Sequence, residues 1–568
     1  MAISYGYDRE RPRTQVFLDS TALGSANVAS EKPLVILGSA IDGEPHVPHM
    51  VTNFTQARNL FRGGDLLDAI EMAWSPSPNE PGAGRIYAVR TDEATQAKHE
   101  VEGLTVVSNV YGNDANGIQI EYGDSPLTGS KRFSVYFTRE RYERIYDNIG
   151  NIFNVRYTGE EAQATVEVIV DDTTKLATRL VLSVGDTVED MQPVRTYELG
   201  QGVYQDVNVL VNDIHNLPDF EARMNSMGGN KNIQTQFLDA LAPQNIKNQD
   251  VTVTAIAGDL LNQTRNDRYV SLSVDFTKGL PESIELTNLS GGETKPAPAS
   301  WAHMFAQIAD LGAYYVVPLT AHEAIHGELS QFLREQSQAG NHLRGIVGGG
   351  HSESENELRS RQMNIRNSRV SLVGDSVTRR MADGRVLNMP GYLYASLIAG
   401  IASGLPVGEP VTYKQVNIES VDRKFTGDQL DQLNASGVIM TEFIRQRTSS
   451  YYRIVSDPTT YNVVTEPVQN RMSLGEVADY LTTELRIELD QFIGSRIQQM
   501  SASIIKNAVE SFLDQQKNVG GLIVDYSPDD VQVLITGNTA TINITVQPAQ
   551  GLDYINVFLS FVDNELEA

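Results

Sequence analysis

Residues 472–517 read MSLGEVADYLTTELRIELDQFIGSRIQQMSASIIKNAVESFLDQQK. Apolar side chains recur at Leu474, Val477, Leu481, Leu485, Leu489, Phe492, Ile493, Ile497, Met500, Ile504, Ala508 and Phe512. Steps of three and four place such residues on one helical face. The spacing predicts a long amphipathic helical run over 473–517, its Leu474–Phe512 stripe packed onto an α/β sheet, with Gly494 as the point where it breaks or kinks. After Gly520 and Gly521 the apolar period changes to two. Residues 521–526, 531–536, 541–547 and 554–562 read as strands. The last of them, YINVFLSFV, follows a polar turn at 548–553 and has no evident partner in the sequence.

Working back towards the N-terminus, the pattern is of two kinds. From Pro33 it alternates: a buried strand at 34–38, helices at 56–61 and 66–74, and a strand at 86–90. An all-β region follows, with strand candidates at 133–137, 165–170, 180–184, 207–211, 251–256 and 269–276 separated by Gly, Asn and Asp turns. Two short helical patches are expected within it, near 220–224 and 236–241. Alternation resumes after Gly291-Gly292, with helices at 301–311, 322–336, 354–365 and 393–402 and strands at 314–317, 343–347 and 369–373. Helices and strands in alternation imply a sheet covered by helices. A β-rich insertion of roughly 190 residues is therefore expected to split one α/β domain. Residues 1–30 are polar and read as an extended arm, and ~30 stretched residues can reach roughly 100 Å.

Composition narrows the function. The chain has 568 residues, no cysteine and a formal net charge of −27. Without cysteine there are no disulfides, thiolate metal sites or cysteine nucleophiles. That suits a reducing compartment or a particle that must not cross-link. A strongly acidic balance releases no counterions from a phosphate backbone, so nucleic acid is not the expected main partner. No segment approaches ~18 uninterrupted apolar residues, so membrane insertion is not expected. The opening MAISYGYDRERPR lacks the apolar region of a secretory signal.

Three motifs carry possible chemistry. His322-Glu323-Ala324-Ile325-His326 fits H-E-x-x-H, the helical zinc motif of metallopeptidases, with Glu353 as a possible third ligand. Against it, Thr320 and Glu323 have capping-box spacing, which would place the motif in the first turns of a helix. Gly374-Asp375-Ser376-Val377 resembles the nucleophile block of GDS-type esterases. Those enzymes take their histidine from later in the chain, and here none follows His351. Gly348-Gly349-Gly350 suggests a phosphate cradle, yet no Gly-Lys-Ser/Thr follows, and Ser352 with Glu355 has capping-box spacing. No catalytic, cofactor-binding or metal-binding residue is nominated.

The arm, the split core and the C-terminal block together resemble the contractile tail sheath family of phage tails, tailocins and type VI secretion systems. The resemblance is carried by PLVILGSAIDG at 33–43, VTNFTQARNLF at 51–61 and the stretch 66–90. It continues through Leu289-Ser290-Gly291-Gly292 into 301–318, MPGYLYASLIAGIASG at 389–404 and LNASGVI at 433–439, and then through 445–448, 472–494 and 511–526. It covers most of residues 31–568 outside the insertion. The usual Pro-Gly-Val-Tyr-like start is absent from SYGYDRERP, and the Pro-Ala-Asn segment after the Gly-rich helix is echoed only loosely at 405–410.

What the resemblance implies is an α/β (α+β) core domain of the tail-sheath type, interrupted by a β-rich insertion, with extended N- and C-terminal arms. Its parts would be an arm at 1–30, core at 31–98, an outward-projecting insertion at 99–290, core again at 291–547 and a C-terminal arm strand at 548–568. It implies a structural subunit, not an enzyme, stacked as hexameric rings around an inner tail tube protein and joined to baseplate and tail terminator proteins. Such a subunit resides in the virion tail, and in the host cytoplasm during assembly. Contraction would drive the tube through the target envelope for genome ejection. Strand exchange between subunits would fall on Val16, Phe17 and Leu18 in the first arm. In the second it would fall on Tyr554, Ile555, Val557, Phe558, Leu559, Phe561 and Val562. A zinc metallopeptidase on His322 and His326, and a tail-surface adhesin on the β-rich insertion, remain open at this point.

Overall fold

A computed structural model describes residues 31–126, 130–225, 231–447, 449–463, 465–494, 502–549 and 551. The chain divides into two compact units, the second comprising 41–43 and 93–295 and the first comprising the other described residues.

The first unit is built on a seven-stranded sheet. Its strand order is Pro48–Val51, Ile86–Arg90, Leu34–Gly38, Tyr315–Pro318, Arg344–Gly348, Val370–Val373 and Val438–Ile439. All neighbouring pairs are parallel except Pro48–Val51, which runs antiparallel along one edge. Parallel sheets need cover on both faces, and the strand Leu34–Gly38 shows how it is provided. Leu34 and Ile36 enter one core with the helices Phe54–Phe61, Asp65–Trp74 and Gly391–Gly404. Val35 and Leu37 enter the other with Ala302–Ile308, Glu323–Ala339 and Glu355–Ile365. The short apolar runs of the sequence are thus strands buried on both sides, and the expected α/β alternation is present at each of its elements.

The C-terminal block departs from the expectation in three ways. First, the helical run is two helices, Met472–Asp490 and Ala502–Gln515, with Gly494 at a φ of +82° in between. Second, the stripe changes phase. Val477, Leu481, Leu485, Leu489 and Phe512 are buried as expected, but elsewhere in the second helix Ile505, Val509 and Leu513 are buried while Ile504 is 45 % exposed. A helix that restarts does not inherit the angular phase of the one before it. Third, these residues gather with Leu522, Ile523 and Val531 into a core of their own instead of lying on the large sheet. The strand expected at 541–547 is likewise divided, into Thr539–Asn543 and Val546–Pro548.

The second unit is mainly antiparallel; its described residues form sheets of four, four, three, three and two strands around two apolar cores. The strands expected around 133–137, 165–170, 180–184 and 269–276 are present. Residues 207–211 are not a strand. They open the helix Val207–His215, capped by Asp206, whose carboxylate accepts from the Asn208 amide at 2.7 Å. Val207, Leu210, Val211 and Ile214 are its buried face, spaced three and four apart, so β-branched content misled where period decided. Phe220–Met224, expected helical, is a strand paired with Asn151–Tyr157. The patch at 236–241 is a short 3-10 turn, Thr235–Phe237, followed by the strand Leu241–Asn245. The strand at 251–256 stops at Thr254, and a helix, Ile256–Thr264, begins two residues later.

Candidate interaction edges and motif sites

The residues nominated for strand exchange, Val16, Phe17 and Leu18 together with Tyr554, Ile555, Val557, Phe558, Leu559, Phe561 and Val562, lie outside the described residues. Ile523–Tyr526 pairs with Val546–Pro548, and Gln532–Thr536 pairs with Thr539–Asn543, each as a two-stranded sheet. In the second of them alternate residues (Val533, Ile535, Ile542) pack inwards on the helices while Leu534 is 66 % exposed. A two-stranded sheet leaves backbone donors and acceptors on its outer edges, which is the requirement for adding a strand.

The helix Met472–Asp490 is joined to the large sheet by charge. One turn of it carries two buried carboxylates, Glu476 and Asp479, both at 5 % exposure or less. Asp479 accepts from Arg344 Nε at 2.8 Å, from Arg369 at 2.8 and 3.2 Å and from the Tyr314 hydroxyl at 2.9 Å. Burial alone would raise its pKa, but Arg344 and Arg369 outweigh that and hold the carboxyl well below the usual carboxylate range. His342, 3.6 Å away, is kept neutral by its own burial, which lowers its pKa to about 4. Glu476 receives Lys32 Nζ at 2.9 and 3.1 Å, the Gly408 amide at 3.0 Å and the Tyr315 hydroxyl. Lys32 stands two residues after the N-terminal segment 1–30, so the base of that segment meets the helix Met472–Asp490 at a buried ion pair. Nothing in the sequence pattern announces it. Glu476 and Asp479 interrupt an apolar stripe as surface acids would, and their charged partners stand more than 100 residues away.

The three motifs resolve as structural features. The helix containing H-E-x-x-H starts at Glu323 with His322 as N-cap, and no capping box forms. Instead the Thr320 hydroxyl accepts from the His322 amide at 3.2 Å. His322 is exposed, whereas His326 is fully buried with Nε2 2.8 Å from the Thr320 carbonyl. Burial lowers its pKa to about 4. Glu323 accepts from Asn364 at 2.8 Å and Glu353 is paired with Arg361 at 2.5 Å, so neither is directed at the imidazoles. Among the described residues no three of His, Asp and Glu are grouped to hold a metal ion.

Glu353 also accounts for the glycines before it. Its carboxylate accepts the Gly350 amide at 2.7 Å, and a Cβ on Gly349 would stand 2.3 Å from the same carboxylate. The cradle that resembles a phosphate site is filled by the chain's own anion. The capping box falls two residues later than expected, on Ser354 and Glu357, because Ser352 adopts a φ of +49° and belongs to the turn. At Gly374-Asp375-Ser376, the Asp375 carboxylate accepts the Thr441 amide at 2.6 Å and the Ser376 hydroxyl accepts the Ser352 amide at 2.9 Å. Among the described residues no histidine nitrogen is hydrogen-bonded to Ser376, so the serine lacks a base. Two shallow cavities of about 420 and 200 Å³ lie along the strands Gln415–Val416 and Ser450–Ile454, and neither lining contains a histidine.

Comparison with known proteins completes the picture. No family model matches the chain. It is 46% identical over 560 residues to a protein of Enterococcus phage phiEF24C provisionally named a tail sheath protein, with 98% of each chain covered. It is 39% identical over 585 residues to the tail sheath protein of Staphylococcus phage Twort, again over 98% of each. Among solved structures, the sheath tail protein of Desulfitobacterium hafniense superposes with a TM-score of 0.54 over 94% of this chain and 96% of its own, at 12% identity. The Listeria innocua sheath tail protein does so with the same score over 92% and 94%. At that identity the likeness is one of fold. No helix among the described residues is long and apolar enough to cross a membrane.

Proposed function

Because the chain belongs to the tail sheath protein family, we propose that it is the repeating subunit of a contractile sheath, stacked as hexameric rings around an inner tail tube. Its role is structural and its place is the virion tail. The observation that carries the reading is identity along the whole chain, insertion included, to a protein named for that role.

The mechanism proposed follows from edges and burial. Residues 1–30 and 548–568 act as arms that add strands to the sheets of neighbours, where backbone bonds give strength and alternating side chains set register. Val16, Phe17 and Leu18, and the apolar residues from Tyr554 to Val562, are the inserted side chains. The outer edges of Ile523–Tyr526 and Gln532–Thr536, unpaired among the described residues, are suitable receivers. Contacts of this heterologous kind propagate into a helical polymer. Assembly around the tube holds an extended state, a baseplate trigger releases it, and better burial in the contracted lattice supplies the energy without nucleotide. Baseplate and terminator proteins close the two ends. The inserted unit, 99–290 in this reading, projects outward, and the chain performs no catalysis.

Deletion of residues 553–568 tests the proposal. The truncated protein is expected to stay folded by circular dichroism and to form no tubes by negative-stain electron microscopy. Normal sheath-like tubes from the truncated chain would refute strand exchange through this arm.

A further inference from the structure

The histidines of the zinc motif do not converge, but two others 257 residues apart do. Nδ1 of His46 and Nε2 of His303 are 3.2 Å apart, with the rings edge-on and their centroids at 4.8 Å. His46 is held firmly. Its amide donates to the Arg90 carbonyl at 2.8 Å, and its φ of +63° lies in the left-handed region. Its Nε2 stands 3.1 Å from the Thr91 carbonyl. A carbonyl can only accept, so Nε2 carries the proton and Nδ1 turns a lone pair towards His303. His303 is the second residue of the helix Ala302–Ile308, whose Met304, Phe305 and Ile308 are buried in the core, with Phe305 stacked on Phe332 at 5.8 Å. Its ring is exposed to solvent.

We propose that His46 and His303 form a binding site for an imidazole-seeking divalent cation of the zinc class, held through Nδ1 of one and Nε2 of the other. Two nitrogens at ~2.0–2.1 Å from a tetrahedral ion stand about 3.3 Å from each other, close to the separation observed. The Thr91 carbonyl behind His46 is the outer partner that fixes tautomer and ring orientation in such sites. Neutral imidazoles suit Zn, Cu and Ni, and a chain of charge −27 attracts cations. With no third ligating side chain grouped here among the described residues, water completes the coordination, and the ion is exchangeable.

Isothermal titration of the full chain with Zn(II) at pH 7.5 tests the assignment. One saturable zinc per chain is expected, weakened at least tenfold by His303→Gln and by His46→Ala, and unchanged by His322→Ala and His351→Ala. His303 is exposed, so His303→Gln decides the matter even where His46→Ala fails to fold by circular dichroism. No saturable zinc in the native chain, zinc binding that survives His303→Gln unchanged, or loss on His322→Ala would overturn it.

Discussion

Replacing Asp479 by alanine removes the carboxylate on which the C-terminal block is fastened to the sheet. The residue is 4 % exposed and satisfies two guanidiniums, Arg344 and Arg369, which are themselves largely buried, and one phenol. Its loss leaves two cations in low-dielectric surroundings without their carboxylate, with only neutral partners such as the Ser368 and Leu343 carbonyls. Breaking a buried pair from one side costs ~3–5 kcal/mol, and with two cations orphaned a loss of about 4 kcal/mol is expected. That is a large part of the ~5–15 kcal/mol that holds a typical domain together. Hydrogen exchange read by mass spectrometry across a urea series measures it locally. Peptides from Tyr315–Pro318, Arg344–Gly348 and Met472–Asp490 should lose protection together, while peptides from 93–295 should not. Adding Arg369→Ala to Asp479→Ala should cost less than the sum of the two single changes, because the second removes a cation already left unpaired. A loss under about 1 kcal/mol, or an equal loss in both units, would refute the idea that this network fastens the helix.

Acid should weaken the first unit in a predictable window. Burial lowers His326 and His342 from 6.5 to about 4, so between those values the unfolded chain binds two protons that the folded chain does not. Stability then rises with pH across the window and is lost as pH falls from 6.5 towards 4. Asp375, raised by burial from 3.8 to about 7, acts in the opposite sense. The net of the three is a loss on the order of 3 kcal/mol by pH 4, and Asp375→Asn should roughly double it. An unfolding free energy flat from pH 6.5 to 4 would contradict the burial of these imidazoles. Gly400→Ala separates local from tertiary reasoning. Helix propensity favours alanine by about 1 kcal/mol, but a Cβ at this position would stand 2.4 Å from the Ala73 carbonyl oxygen and 2.6 Å from its Cα. Overpacking of ~1–3 kcal/mol or more should dominate, giving a net loss measurable by chemical denaturation. A gain in stability would show that the two helices can move apart freely.

Much of the fold was legible because it rests on local signals. Strands such as Leu34–Gly38 and Arg344–Gly348 are short apolar runs bounded by loops, and helices such as Gly391–Gly404 are long enough for length alone to separate them from strands. Val207–His215 is rich in β-branched residues yet has helical spacing, and the spacing reflects what is buried. The motif sites were harder, because a motif records residue types in order and not the direction in which they point. His322 and His326 have metal-ligand spacing, but one is exposed and the other is occupied by a backbone carbonyl.

By itself the sequence determined the alternation of the core, the interruption by a β-rich stretch, the switch from helix to strand after residue 520 and the family. These follow from periodicity and from the order of segments, which are properties of neighbours along the chain. Only the tertiary structure decided that the C-terminal helices form their own core after a phase change at Gly494, and that Glu476 and Asp479 are buried anchors instead of surface acids. It alone brought His46 to His303. In each case the deciding partner lies far along the chain, and a side chain's burial, charge and ligand capacity depend on what packs against it.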